Sequence, residues 1–251
     1  SNLGAPLAVR LAHEGGCRKA FIVDPVVVDE LGPLARYSGL PEIERRSIFH
    51  ALNQKSVARR AASDLGKPYE QCNFIIAHMG GGISVGAHDH GRVTDVNNAL
   101  DGDGPFSPER AGSLPAGGLV RLAFSGRYDQ PTLLKMITGR GGIVAHLGTS
   151  DFREVRRRMA EGDEKAKLLF EALAYQVSKE IGACAAVLEG KVDAVILTGG
   201  LAYSEEFTGL IAGRVSFVAP VRVYPGEDEM KALADGTFRV LRGEETARQY
   251  D

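Results

Sequence analysis

Tryptophan is absent from this 251-residue chain and cysteine is scarce: Cys17, Cys72 and Cys184 stand apart, with no CxxC pair. Isolated thiols argue against a disulfide framework and a thiolate zinc site, and they fit a reducing compartment. No apolar run approaches the ~18 residues of a membrane helix and no leader pattern opens the sequence, so the expected location is the cytoplasm, with no membrane partner. Neither sign of charge dominates: 30 Lys and Arg stand against 32 Asp and Glu, for a net charge of −2. That balance gives no footing for nucleic acid, and no block of like charge marks a disordered tail. With 44% hydrophobic and 25% charged residues, the chain has the composition of a folded globular protein, one large domain or two small ones.

Glycine, by contrast, is plentiful and in places concentrated. Residues 74–88 read FIIAHMGGGISVGAH: a strand, a turn of bare backbone at Gly80, Gly81 and Gly82, and a second strand. Glycines packed at a strand end let main-chain N–H groups approach an anion with no Cβ in the way, which suits phosphate oxygens. The same run also suits an ordinary hairpin turn.

The remaining pattern supplies a frame for that turn. Apolar spacing predicts a helix over 3–14, a short strand over 19–23 closed by Asp24-Pro25, an aperiodic segment over 26–44, and a helix from about 45 to 65. Three strands over 73–78, 83–88 and 92–96 form a meander, followed by a long Gly/Pro/Asp-rich loop over 97–118. Helices are predicted over 117–125, 130–138, 165–188, 204–213 and 228–242, with strands over 193–198 and 215–224, the latter broken at Pro220. From residue 73 the order is β-β-β-α-β-α-β-α, a mixed sheet with helices on both faces: the α/β, RNase H-like unit.

Individual residues carry chemistry within that frame. Asp24 falls at the predicted carboxyl end of a strand, where open α/β sheets place ligands, although an Asp before Pro is also a turn former. His50 lies near a helix start, where the dipole disfavours imidazolium. Arg110 is the basic residue of the long loop and can offer a planar fork to a phosphoryl group or a carboxylate; a solvated surface arginine is the bland alternative. His88 and His90 flank a hairpin turn without further ligands nearby, a poor metal pair. Gly82-Ile83-Ser84-Val85-Gly86 matches the nucleophile elbow of serine hydrolases, but residue 87 onward reads as strand and the last histidine is His146.

Long motifs in a fixed order then make the sequence specific. FIVDPVVVDE at 21–30, IFHALNQK at 48–55, HMGGG at 78–82, DVNNALDG at 95–102, GPFSPER at 104–110, LTGG at 197–200 and YPGEDE at 224–229 together resemble the acetate, propionate and butyrate kinase family of the sugar kinase, heat-shock ATPase and actin superfamily. The resemblance spans essentially the whole chain. It implies the actin-like form of the RNase H-like fold, with a complete second domain over 47–230 and an incomplete first domain from 1–46 and 231–251.

The resemblance also implies an activity: reversible transfer of the ATP γ-phosphoryl to a short-chain carboxylate such as butyrate or isobutyrate, with ATP/ADP and Mg²⁺ as cofactors and a homodimer or higher oligomer as the working form. It places catalytic roles on Asp24, His50 and Arg110 and a phosphate loop on His78, Gly80, Gly81 and Gly82. Purine contacts fall on Asp151, Phe152 and Arg153, and the adenosine loop on Gly199, Gly200, Leu201 and Ser204. The metal-side carboxylate falls on Glu229, with Asp228 the other register. Gly81 and Gln54 stand where acetate kinases carry asparagine and histidine, which fits the butyrate branch. The family further has about a hundred residues ahead of the position of Ser1, the size of a typical domain, including a first phosphate loop. A chain without that loop could instead fold and bind nucleotide without transferring phosphate.

Overall fold

Alternation of side chains along three adjacent segments builds the centre of the molecule. In the computed structural model, which describes residues 4–247, strands β1 (Asn73–Met79), β2 (Ile83–Asp89), β3 (Arg92–Val96), β4 (Ala194–Gly199) and β5 (Val221–Pro225) form one sheet in the order β3-β2-β1-β4-β5. The β1–β2 and β2–β3 pairs are antiparallel, and β1–β4 and β4–β5 are parallel, which is the predicted RNase H-like arrangement. Leu3, the first residue of the predicted N-terminal helix, and residues 248–251, the end of the predicted first-domain remnant, lie outside the described residues.

The two sheet faces bury different partners. Ile75, Ala77, Met79, Ile83, Val85, Ala87, Val195 and Leu197 meet helix α7 (Glu164–Val187) through Phe170, Leu173, Val177 and Ile181, and helix α8 (Glu205–Val215) through Phe207 and Ile211. The alternate residues Phe74, Ile76, Ala194 and Ile196 meet Val57, Ala58, Ala61 and Ala62 of helix α2 (Ala51–Asp64). Alanine on that helix face lets its backbone come close to the sheet. Three rings, Phe152 at the start of helix α6 (Phe152–Ala160), Phe170 and Phe207, pack with centroids 5.1, 5.1 and 5.2 Å apart.

Three predicted elements differ. Residues 19–23 form no strand, because no strand among the described residues lies beside them and an extended segment without a ladder partner makes no sheet hydrogen bonds. Asp24 therefore follows an irregular segment and not a strand end, at φ +40°. The helix expected from residue 45 begins at Ala51; the Arg45 guanidinium is drawn away to the Ala35 carbonyl and to Asp95, at 2.8 and 2.9 Å. The expected strand 215–224 is mostly not one: α8 runs to Val215 and pairing starts at Val221, after Pro220, which has no N–H to give a ladder.

Further helices are α1 (Gly4–Glu14), α3 (Ala116–Ala123), α4 (Gln130–Thr138), α5 (Ile143–Leu147) and α9 (Glu229–Leu241). Helix α9 packs on α2, and its Gly236 is where Val23 presses in; a Cβ there would lie 2.3 Å from Val23 Cγ1. Among the described residues no helix is long and apolar enough to cross a membrane.

Candidate active site

The carboxyl ends of β1, β4 and β5 converge, as expected for a ligand site on a sheet of this kind. Gly199, at φ +86°, closes β4 against Met79, whose carbonyl would be 2.6 Å from a Cβ at that position. Gly199 and Gly226 exchange backbone hydrogen bonds of 3.2 and 3.1 Å. These approaches place the turn Gly80–Gly82 between the 226–227 segment and the long loop. Within the turn, the Gly80 amide donates to the Gly82 carbonyl at 3.0 Å. The Gly81 carbonyl accepts from Ser107 Oγ at 2.5 Å and from the Glu109 amide at 3.3 Å. The carbonyls are thus tied down, while the amides of Gly81 and Gly82 make no hydrogen bond among the described residues. Two spare donors at one turn are what an anion-binding nest requires.

The long loop is ordered and delivers Arg110 to that turn. Asn97 clamps the loop base to β2, accepting from the Val85 amide at 2.7 Å, and Ser107 Oγ receives the Arg110 amide at 3.0 Å. Arg110 Nη1 donates to the Ala99 carbonyl at 2.5 Å. The guanidinium lies directly on Gly82: a Cβ there would be 2.1 Å from Nη1, so any side chain at 82 would displace the guanidinium from this position. Burial of this charge pushes its pKa down, with Glu109 acting in the other direction.

His50 caps α2 beside the same turn. Its ring stacks on that of His78, with centroids 3.8 Å apart and 12° between planes. His78 Nδ1 meets Asn53 Oδ1 at 2.8 Å, and His78 Nε2 faces the Glu227 carboxylate at 3.4 Å. Asn53 in turn donates to the carbonyls of Gly226 and Glu227. Glu227 is held below the usual carboxylate range by His78. Asn53 and Glu227 were missed in the sequence; both lie inside quoted motifs, but nothing in those motifs said which member would reach the turn.

The half-buried His50 and the fully buried His88 stay neutral in the fold. Desolvation, aided by His78 and Arg110, drives His50 to about 2 from the ordinary 6.5. Desolvation, aided by Lys55 and Arg59, drives His88 to about 3 from 6.5. The unfolded chain takes up these protons first. Stability is therefore full above pH ~6.5 and is lost as the pH falls towards the folded-state values, by up to ~1.4 kcal/mol per pH unit for each histidine. Urea unfolding followed from about pH 7 to about pH 4 is expected to show this slope, and His88→Gln is expected to make it shallower. Equal slopes in the two proteins would show that His88 is not the group responsible.

The other predicted residues are distributed around this centre. Asp24 lines a cleft of about 600 Å³ between α2 and α9 that Asn53, Thr198, Gly226 and Glu227 also line; its carboxylate is 3.7 Å from Arg59 and is not bonded to His50. Burial raises its pKa against the pull of Lys55, Arg59 and Arg239. Asp151 caps α6 and pairs with Arg153 at 2.8 Å on the surface, which pushes its carboxyl down to about 2. Phe152 turns inward to the phenylalanine trio, and through Phe207 it comes beside Ser204, the cap of α8. Gly200 is exposed, and Leu201 and Ser204 are buried.

Among the acidic residues 227–229, Glu227 is the one against the glycine turn, its carboxylate 3.3 Å from where a Gly80 Cβ would be; Glu229 is the exposed first residue of α9. His88 and His90 form no metal pair: His88 is buried against Tyr69 and Gln54, His90 is exposed, and no group of three metal-ligating side chains exists among the described residues. Ser84 lies within β2 and not at a strand-to-helix turn, so the hydrolase elbow is not formed.

Comparison with known proteins decides what this geometry belongs to. Residues 41–210 match the acetokinase family, and butyrate kinase 2 and butyrate kinase 1 of Clostridium acetobutylicum are 58% and 57% identical over 250 residues, covering 100% of this chain and 70% of each relative. The chain belongs to the acetokinase family. It is accordingly a carboxylate kinase, a phosphotransferase that uses ATP/ADP with Mg²⁺. The fold is shared with the acetate kinase of Porphyromonas gingivalis, at TM-score 0.76 and 23% identity over 86% of this chain; the chain spans 62% of that acetokinase's length.

Proposed function

We propose that this chain carries the phosphoryl-transfer and nucleotide side of a kinase that converts butyrate, isobutyrate or a similar short-chain carboxylate and ATP to an acyl phosphate and ADP. One observation supports this most: the two spare amides of Gly81–Gly82, the Arg110 guanidinium and the neutral His50 ring meet at one turn at the carboxyl end of the sheet. A carboxylate is already an anion at neutral pH, so the acceptor needs no general base and the protein acts by positioning and by neutralising charge. The amides and Arg110 hold phosphoryl oxygens, and His50 donates to the same group in flight. Asp151, Phe152, Arg153 and the Gly199–Ser204 loop serve the adenosine end.

The donor set fits Mg²⁺ as a phosphate-bound ion, because Mg²⁺ keeps waters and phosphate oxygens and takes only one or two carboxylates. Glu227, at the turn, and Glu229 are the residues that would hold it; when bound it neutralises charge on the phosphates. We place this activity in the cytoplasm and in a homo-oligomer, with residues 1–46 and 231–251 belonging to a first domain and 47–230 to the second.

A coupled assay of acyl phosphate formation from ATP and butyrate tests the proposal, run on this chain and on one extended to its relatives' length. Turnover in the extended chain is expected, with butyrate preferred over acetate. Tight nucleotide binding without turnover in both would mean a non-catalytic binding protein.

A further inference from the structure

The residues behind His50 form a continuous hydrogen-bonded line that the activity alone does not account for. Tyr69 OH meets His88 Nδ1 at 2.7 Å, His88 Nε2 meets Gln54 Oε1 at 2.9 Å, Gln54 Nε2 meets both the Ser84 carbonyl and Ser84 Oγ at 3.1 and 2.8 Å, and Ser84 Oγ meets His50 Nδ1 at 2.8 Å. Gln54, Ser84 and His88 are fully buried, and Tyr69 nearly so.

Each link has one allowed sense, and the senses add up. A carbonyl only accepts, so the Ser84 carbonyl obliges Gln54 to present its NH₂ there. That orients Gln54 Oε1 towards His88, which must then donate through Nε2 and accept from the tyrosine hydroxyl through Nδ1. The second Gln54 N–H occupies one lone pair of Ser84 Oγ. The Ser84 proton, shut off from water, has one acceptor in reach, His50 Nδ1. His50 therefore carries its own proton on Nε2.

We infer that Ser84 and Gln54, backed by His88 and Tyr69, are positioning residues that lock His50 in the Nε2–H tautomer, so that it always meets the phosphoryl group as a donor. The sequence leaves space for this line. Gly86, two residues after Ser84 on the same face of β2, is glycine where a Cβ would stand 2.6 Å from Gln54 Oε1. The Gly82-x-Ser84-x-Gly86 pattern thus admits, in turn, Arg110, the hydroxyl that orients His50, and the amide that orients the hydroxyl.

The inference rests on the proposed role of His50 as a donor, and its test reads the tautomer separately from activity. In protein labelled with ¹⁵N in its imidazoles, long-range ¹H–¹⁵N correlation at neutral pH is expected to show His50 Nε2 protonated and Nδ1 bare, the signals being assigned by their loss in His50→Gln. Ser84→Ala is expected to yield a mixture of tautomers and to lower kcat about ten- to a hundredfold with the KM for ATP unchanged. Ser84→Thr, which restores a hydroxyl, is expected to recover both. Gln54→Met leaves the hydroxyl but frees its direction, and it too is expected to give a mixture. An Nδ1–H tautomer in the unaltered protein, or a pure Nε2–H tautomer in Ser84→Ala, would overturn the inference. A locked tautomer together with full turnover in His50→Gln would leave the lock standing and remove the donor role instead.

Discussion

Arg110→Ala is expected to lower turnover by about a hundredfold or more while leaving ATP affinity nearly unchanged, the loss typical of one transition-state donor, ~3 kcal/mol. The reason lies in how the guanidinium is held. Its Nη1 is bonded to the Ala99 carbonyl, its backbone amide to Ser107, and its plane rests on Gly82, so it is aimed before substrate arrives. It is also half-buried, and a charge in that setting interacts more strongly with a phosphoryl group than a solvated one would. In the arrangement proposed above, ground-state binding of ATP draws on the adenosine side and the glycine amides, which the substitution leaves in place. Arg110→Lys keeps the charge but loses the fork and is expected to fall between. Gly82→Ala should reproduce much of the loss without touching the arginine, because its methyl occupies the guanidinium's place. Measuring kcat and KM separately for the three variants checks this; near-normal kcat in Arg110→Ala would remove the role assigned to it.

How far the sequence foretold this site depends on which physical signal each residue sends. The β1–β4 strands were legible because alternation and glycine ends are local, and the long α7 because its apolar period runs uninterrupted from Ala166 to Cys184. The segment 19–23 misled because its apolar run is a promise of pairing, and pairing is a property of a neighbour. The strand expected over 215–224 is only its last part for the complementary reason: residues before Pro220 look apolar enough for a strand, whereas helix α8 uses Val215 to cover the sheet and pairing begins at Val221.

His50, Arg110 and the glycine turn, each named from a motif, are brought together by the fold. Gln54, Ser84 and His88 were not found. Ser84, Gly86 and His88 succeed one another as small or polar residues on the α2-facing side of an otherwise apolar β2, and Gln54 reaches Ser84 and His88 from α2. The Gly-x-Ser-x-Gly spacing on that face raises a hydrolase elbow only to exclude it, and a motif match does not separate the strand's two faces. Glu227 was missed for a different reason: three acidic residues within 227–229 are indistinguishable until the Gly199–Gly226 pairing fixes which one turns towards Gly80.

Phe170→Ala is expected to be the most damaging of the core truncations, at about 3–5 kcal/mol, a large share of the ~5–15 kcal/mol by which a domain is normally stable. Phe170 is fully buried on α7 and is the common neighbour of Phe152 and Phe207, stacked on the first and edge-on to the second. Removing it forfeits the transfer energy of the ring, leaves a cavity between three helices, and breaks two aromatic pairs worth ~0.5–1.5 kcal/mol each. The damage should not stop at stability. Phe152 begins α6 immediately after the Asp151 cap, so a loosened trio frees the helix end that the proposed adenosine contacts occupy. Urea unfolding should show the midpoint fall with little change in the dependence on denaturant, and nucleotide affinity should weaken in the same variant while the Arg110–Gly82 contact, on the other side of the turn, stays intact. Phe170→Leu, which fills most of the volume, should lose less than half as much. A loss below about 1.5 kcal/mol in Phe170→Ala would mean that the trio collapses into its own cavity, and that Phe152 owes its position to the Asp151 cap rather than to the ring beneath it.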